Sequence, residues 1–201
     1  APQANRNRGR ALPGTQYIDP AKFVNKAVIT EETDHFVPEH RFADFHIEEV
    51  LKKNVTAKGY ELPTPIQDRA IPHVLKGSDV VGIAQTGTGK TAAFLIPLIH
   101  KVISQRGQQV LIVVPTRELA IQIEAELREF VKGMRIFSVT CVGGVGLGAQ
   151  VSALRHPNQF VIGTPGRLKD LVERKSLRLK EYQTIVLDEA DRMLDMGFIN
   201  D

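Results

Sequence analysis

Five short apolar runs, each followed at once by a glycine-rich or charged cluster, constrain this chain more than any other feature. The runs are residues 80–84, 110–114, 136–142, 160–162 and 185–187. Between two of them Leu119, Ile123, Leu127 and Phe130 share one face of a helix, with Glu124, Arg128 and Lys132 placed elsewhere. Earlier, Ile47, Val50, Leu51 and Val55 keep helical spacing, and Gly59 stops that helix. Apolar strands separated by amphipathic helices form βαβ units, whose parallel sheet is buried on both faces. The pattern predicts an α/β chain: a doubly wound, mostly parallel sheet flanked by helices.

Such sheets bind ligands beyond the carboxyl ends of their strands. The informative residues are therefore those just after each run, and they begin GTGK, PTRELA, GG, TPGR and DEAD. After the first run comes AQTGTGKT, residues 84–91. Gly87 and Gly89 let backbone amides turn inward with no Cβ in the way, and the next helix aims its free N–H groups at the same place. Lys90 can reach β and γ phosphates, and the Thr91 hydroxyl can ligate Mg²⁺. Ala84 stands where a strict phosphate loop has its first glycine; a methyl group is small enough to be tolerated.

The last run ends in Asp188-Glu189-Ala190-Asp191. DEAD alone is a weak signal, but here it follows an apolar strand in a chain with a phosphate loop. Asp188 can hold Mg²⁺, directly or through water, and Glu189 can activate an attacking water. Upstream, GYELPTPIQ spans residues 59–67. Thr64 caps a helix, Pro65 suits its first position, and Gln67 falls in the first turn. A carboxamide has a donor side and an acceptor side, which matches adenine and not guanine. The alternative for Gln67 is an ordinary helix cap, and Phe42 reads either as a base-stacking ring or as a core aromatic.

Together and in this order, GYELPTPIQ, AQTGTGKT, PTRELA, GG, TPGR and DEAD resemble the DEAD-box RNA helicase family over about residues 42–201. The resemblance implies a RecA-like first domain. It implies ATP and Mg²⁺ at Phe42, Gly59, Gln67, Ala84, Gln85, Thr86, Gly87, Thr88, Gly89, Lys90 and Thr91, with Lys90, Asp188 and Glu189 catalytic. It places single-stranded RNA over Pro115, Thr116, Arg117, Gly143, Gly144, Thr164, Pro165, Gly166 and Arg167. Amides, hydroxyls and arginines are phosphate partners, so that binding is expected to ignore sequence. The family has a second RecA-like domain that supplies arginines to the γ-phosphate, and Asp191 is expected to contact the parts absent here. By itself this chain is expected to turn over little. The competing reading is an adenine-nucleotide-binding module of another ATPase, acting on DNA or on no nucleic acid.

Charge adds little. Basic residues number 26 and acidic ones 23, and Arg6, Arg8 and Arg10 account for the difference. Residues 1–40 read as a basic, flexible extension and 41–201 as the domain. The longest apolar stretch, 92–99, is far below the ~20 residues a spanning helix needs. The N-terminus has no apolar core of a secretory signal. One cysteine, Cys141, allows no internal disulfide and suits a strand core. A cytoplasmic location and a monomer are the defaults. His35, His40 and His46 lack metal-ligand spacing, and Pro97 is expected to kink its helix.

Overall fold

The computed structural model describes residues 36–198. These residues fall within one compact unit, Phe36–Asp201. The expected basic extension, like His35, lies up to residue 35 outside the described residues.

The architecture is a sheet of 4 parallel strands with helices on both faces. The strands are β1 (Val110–Val113), β2 (Ser138–Cys141), β3 (Phe160–Gly163) and β4 (Thr184–Leu187), in the spatial order β2-β3-β1-β4. The helices are α1 (Glu49–Ala57), α2 (Pro65–Leu75), α3 (Lys90–Ser104), α4 (Arg117–Phe130), α5 (Leu147–Leu154), α6 (Pro165–Glu173) and α7 (Ala190–Asp195). The doubly wound, parallel reading is therefore correct. Val113 is level with both Gly163 and Leu187, and Cys141 with Gly163. This register brings all four carboxyl ends to one edge of the sheet.

Two apolar layers enclose the sheet. One buries Phe42, Leu51, Ile71, Leu95, Ile99, Ile112, Ile123, Phe130 and Ile162. The other buries Leu111, Cys141, Val161, Leu168 and Leu171. Adjacent residues of β1 and β3 thus point to opposite layers, as a pleated strand requires. Helix α4 follows its predicted face: Ile123, Leu127 and Phe130 are fully buried, Leu119 partly so, and Ala120 joins them. Each large apolar side chain so buried contributes about 1.5–3 kcal/mol relative to exposure. Gly59, at φ 83°, follows the C-cap of α1 as expected, because a left-handed residue there lets the chain leave the helix at no Cβ cost. Pro97 is buried inside α3, which continues through it.

Three expectations are corrected. The first apolar run, 80–84, forms no strand. Val81 and Ile83 are 92% and 94% exposed, and no described strand lies beside them to accept their backbone bonds. The last run does form β4, but not as a strand buried on both faces: Ile185 and Leu187 are more than half exposed. Among the described strands β4 pairs only with β1, so its other edge has no strand partner there. In α1 only Leu51 and Val55 are buried; Val50 faces outward, and Ile47 is buried just ahead of the helix.

Candidate nucleotide and phosphate-backbone site

The residues following each strand collect along the shared edge. β1 leads through Val114 and buried Pro115 to Thr116, whose Oγ1 accepts from the Leu119 N–H at 3.3 Å and caps α4. β2 leads to Gly143 and Gly144. β3 leads to Thr164, the N-cap of α6, with Pro165 at its first position. β4 leads to Asp188, whose N–H donates to the Val113 carbonyl at 3.0 Å and so sits beside the end of β1.

Glycines shape the phosphate loop. Gly87 and Gly89 lie at φ 84° and 87°, and Gly89 is the N-cap of α3. A Cβ on Gly87 would meet nothing within 4 Å. That open space, beside the free N–H groups of a 15-residue helix, is what a phosphate group requires. Lys90 and Thr91 open that helix, and the Lys90 ammonium donates to the Ala84 carbonyl at 2.7 Å. Gln85, Thr86 and Gly87 are exposed, while Thr88 is half-buried and donates to the Gln85 carbonyl at 2.7 Å.

The glutamine upstream is built into this loop. Thr64 and Gln67 form a capping box at the start of α2. Gln67 is buried; its Oε1 accepts from the Thr64 N–H at 2.9 Å, and its Nε2 donates to the Gly89 carbonyl at 3.0 Å. Thr64 Oγ1 donates to the Thr88 carbonyl at 2.7 Å. Both ends of the carboxamide are therefore engaged by protein. Phe42 is only 1% exposed and meets Phe45 and Tyr60 edge-on at 5.6 and 5.3 Å between ring centres. In this arrangement its ring packs on protein. Gly59 offers open space and no side chain.

Asp188 is mostly buried. Burial pushes its carboxyl above the usual carboxylate range, against the opposing pull of the Lys90 ammonium and of the Glu189 N–H, which donates to Asp188 Oδ1 at 3.1 Å. An uneasy carboxylate beside a lysine and a phosphate loop is a natural ligand for a divalent cation, so Asp188, with Thr91, fits the expected Mg²⁺. Glu189 occupies the left-handed region at φ 52° as the N-cap of α7, a conformation that costs about 1–2 kcal/mol for a residue with a Cβ. Its Oε2 accepts from Arg192 Nη1 at 3.1 Å. Asp191 is exposed in the first turn of α7. Among the described residues no group of three or more His, Cys, Asp or Glu side chains could hold a metal.

The second half of the edge holds two arginines. Arg117 is exposed at the start of α4, and a Cβ on Gly144 would come within 2.8 Å of its Nη1. Gly144, at φ 74°, therefore lets the arginine lie over the loop. Arg167 donates through Nη1 to Gln150 Oε1 at 2.9 Å and to the Val145 carbonyl at 3.1 Å. Gly166 is exposed beside it.

Two contributors escaped the sequence reading. Gln150, only 5% exposed, donates to the Val142 carbonyl at 2.9 Å while accepting from Arg167, which ties the GG loop to TPGR. Its signal was faint: with Ser152, it is one of two polar residues in an otherwise apolar helical stretch. Asp68, next to Gln67, accepts from the Glu39 and His40 N–H groups at 2.8 and 3.2 Å and meets His40 Nδ1 at 2.7 Å. It pins the segment before Phe42, and only the fold brings the two together.

Comparison with known proteins agrees with this geometry. A family model described as DEAD/DEAH box helicase matches residues 64–201. The chain is 46% identical over 162 residues to the ATP-dependent RNA helicase CshA of Listeria monocytogenes, covering 80% of this chain and 31% of that protein. A solved DEAD box protein from Methanococcus jannaschii superimposes with a TM-score of 0.77 at 39% identity, over 82% of this chain and 45% of that one. A hypothetical ATP-dependent RNA helicase from Sulfolobus tokodaii gives 0.71 at 35% identity, over 77% and 45%. The chain thus spans about a third of the curated relative and under half of each solved chain.

Proposed function

The chain belongs to the DEAD/DEAH box helicase family, and from that premise we propose that it is the first catalytic domain of an ATP-dependent RNA helicase. The observation that carries this reading is that four clusters distant in sequence meet at the carboxyl edge of one parallel sheet, where the Lys90 ammonium of the phosphate loop lies near enough to act on the Asp188 carboxyl. One half of that edge has the parts for a nucleotide and the other half has the parts for a phosphate backbone.

The roles follow from the chemistry. Amides of residues 84–89 and the start of α3 receive the phosphates, and Lys90 leaves the Ala84 carbonyl to neutralise them. Asp188 and Thr91 hold Mg²⁺, which when bound supplies positive charge to the β and γ oxygens. Glu189 orients water and accepts its proton. Gln67 exchanges its bond to Gly89 for the adenine edge, so nucleotide identity and loop shape are read by one side chain. Phe42 serves the base only if its ring leaves the core, whereas Gly59 contributes backbone. Thr116, Arg117, Gly143, Gly144, Thr164 and Arg167 contact phosphates and sugars of single-stranded RNA without base readout, with Pro115, Pro165 and Gly166 shaping the loops. Turnover requires arginine charge from a second RecA-like domain, with Asp191 at that junction; an arginine of this kind is worth about 10³–10⁵ in rate. The domain acts as a monomer in the cytoplasm.

The test is phosphate release from Mg·ATP with and without single-stranded RNA, using Lys90→Ala as the blank. The isolated chain is expected to stay at the blank while binding ADP over GDP, a preference lost in Gln67→Ala. Full RNA-stimulated turnover by the isolated chain refutes the need for a second domain. An ADP preference untouched by Gln67→Ala refutes the adenine role.

A further inference from the structure

A second cleft lies at the opposite end of the sheet. It has a volume of about 580 Å³ and is lined by residues that precede β1 and β3, Gln108, Gln109, Asn158 and Gln159 among them. None of the clusters that point to nucleotide or RNA reaches it.

Its composition is one-sided. Arg106, Arg155 and His156 stand exposed at its rim, and no Asp or Glu lines it. Neither arginine has an ion-pair partner among the described residues. Both sit just past helix C-termini, after α3 and α5, where a cation offsets the helix dipole. That placement accounts for single charges but not for the amides between them. Asn158 is 8% exposed, with its Nδ2 donating to the His156 carbonyl at 2.9 Å. Its backbone carbonyl accepts from Gln109 Nε2 at 3.3 Å. Gln159 is likewise fixed, its Oε1 accepting from the Phe137 N–H at 2.8 Å. The scaffold is therefore held in place, yet Asn158 Oδ1 and Gln108 Oε1 are shielded from solvent and accept nothing. Two carboxamide oxygens without donors lie under a rim of unpaired cations.

We propose that this cleft docks an extended, carboxylate-bearing peptide segment of a partner protein. Peptide N–H groups supply the donors that the two amide oxygens lack, once the Gln108 side chain turns toward the cleft and Asn158 exchanges its bond to the His156 carbonyl for the peptide. Acidic side chains meet the rim, where an arginine fork matches a carboxylate bidentately. Nucleic acid fits less well, because backbone phosphates would meet the arginines but supply no donors to the two amide oxygens. An inorganic anion leaves the amide floor unused.

The experiment is a titration of the isotope-labelled 201-residue chain by NMR. The probe is a blocked Gly-Glu-Glu-Gly tetrapeptide, compared with Gly-Lys-Lys-Gly, inorganic phosphate and oligo(U) RNA. The acidic peptide is expected to shift the amides of Gly107, Gln108, Asn158 and Gln159, and the lysine peptide to leave them unmoved. The double variant Arg106→Glu/Arg155→Glu, both changes on exposed positions, is expected to weaken the peptide about tenfold with the rest of the spectrum retained. The proposal is overturned if these amides do not move, if phosphate alone reproduces the shifts at equal concentration, if RNA takes the cleft instead, or if charge reversal leaves the peptide affinity unchanged.

Discussion

Replacing Gly89 with alanine separates two costs that the phosphate loop imposes. At φ 87° any residue with a Cβ bears left-handed strain of about 1–2 kcal/mol. At this position the new methyl also collides with the Gln67 amide, reaches 3.1 Å from Gln67 Cδ, and lies 3.5 Å from Thr64 Oγ1. Gln67 must then move, and its bond to the Gly89 carbonyl is lost, at about 1 kcal/mol. The total comes to about 2–3 kcal/mol. Gly87→Ala is the internal control. Its φ of 84° brings the same strain, but its Cβ meets nothing within 4 Å, so about 1–2 kcal/mol is expected. The assay is urea unfolding of both variants with the slopes compared, so that a change in midpoint reads as stability. The double variant Gln67→Ala/Gly89→Ala then tests the coupling: with the side chain gone, the methyl has room, and the two losses are expected to add to less than their sum. Equal destabilisation by Gly87→Ala and Gly89→Ala, with strictly additive Gln67→Ala, refutes the claim that Gln67 and the phosphate loop form one mechanical unit.

Three further outcomes are expected. Gln150→Ala removes the buried link between the Val142 carbonyl and Arg167, which is expected to cost about 1–3 kcal/mol in stability and to weaken single-stranded RNA several-fold while ADP affinity holds; thermal melts and two binding titrations check it. Asp188→Asn is expected to raise stability at pH 7. A carboxyl whose folded value is raised binds its proton more tightly in the folded state, so stability falls as pH climbs through the raised value and stays reduced above it. The gain is therefore expected to shrink toward about pH 4, where the unfolded carboxyl also protonates, and melts across pH decide it. Amides of residues 80–83 are expected to exchange with deuterium orders of magnitude faster than those of β1 and β3, because no strand among the described residues pairs with them.

Periodicity and punctuation made most of the sheet legible. Residues 110–113 and 160–163 are continuous apolar runs with helices between them, and a strand buried on both faces can be written in no other way. The caps at Thr64, Thr116 and Thr164 were equally readable, since a threonine before proline or arginine and an apolar repeat is a local signal. Long-range polar contacts were not. Asp68 meets the backbone of Glu39 and His40 across 29 and 28 positions of chain, and no local pattern anticipates such a pair. Gln67 shows the middle case: the sequence placed it in the first turn of a helix, but its bond to Gly89 follows from how α2 lies against α3, a packing choice made by the buried residues Ile71, Leu95 and Ile99.

The first run shows what an apolar pattern does and does not specify. Val80, Val81 and Ile83 have every local property of a strand, yet they lie exposed, and β4 presents Ile185 and Leu187 to solvent on the sheet's outer side. Burial is a preference of side chains and can be read one residue at a time. Strand formation is a property of pairs, because each backbone N–H and C=O needs a partner at about 4.8 Å spacing. A run with high β propensity and no neighbour gains no ladder bonds to offset the entropy of holding it extended. The same separation explains why the phosphate loop keeps its shape although the run before it is unpaired. Its Thr88 and Gly89 carbonyls are held by Thr64 and Gln67, and Lys90 at the start of α3 reaches back to the Ala84 carbonyl, with no strand leading into it. The loop's geometry is thus fixed from the helix side, which is why the capping box of α2 controls it.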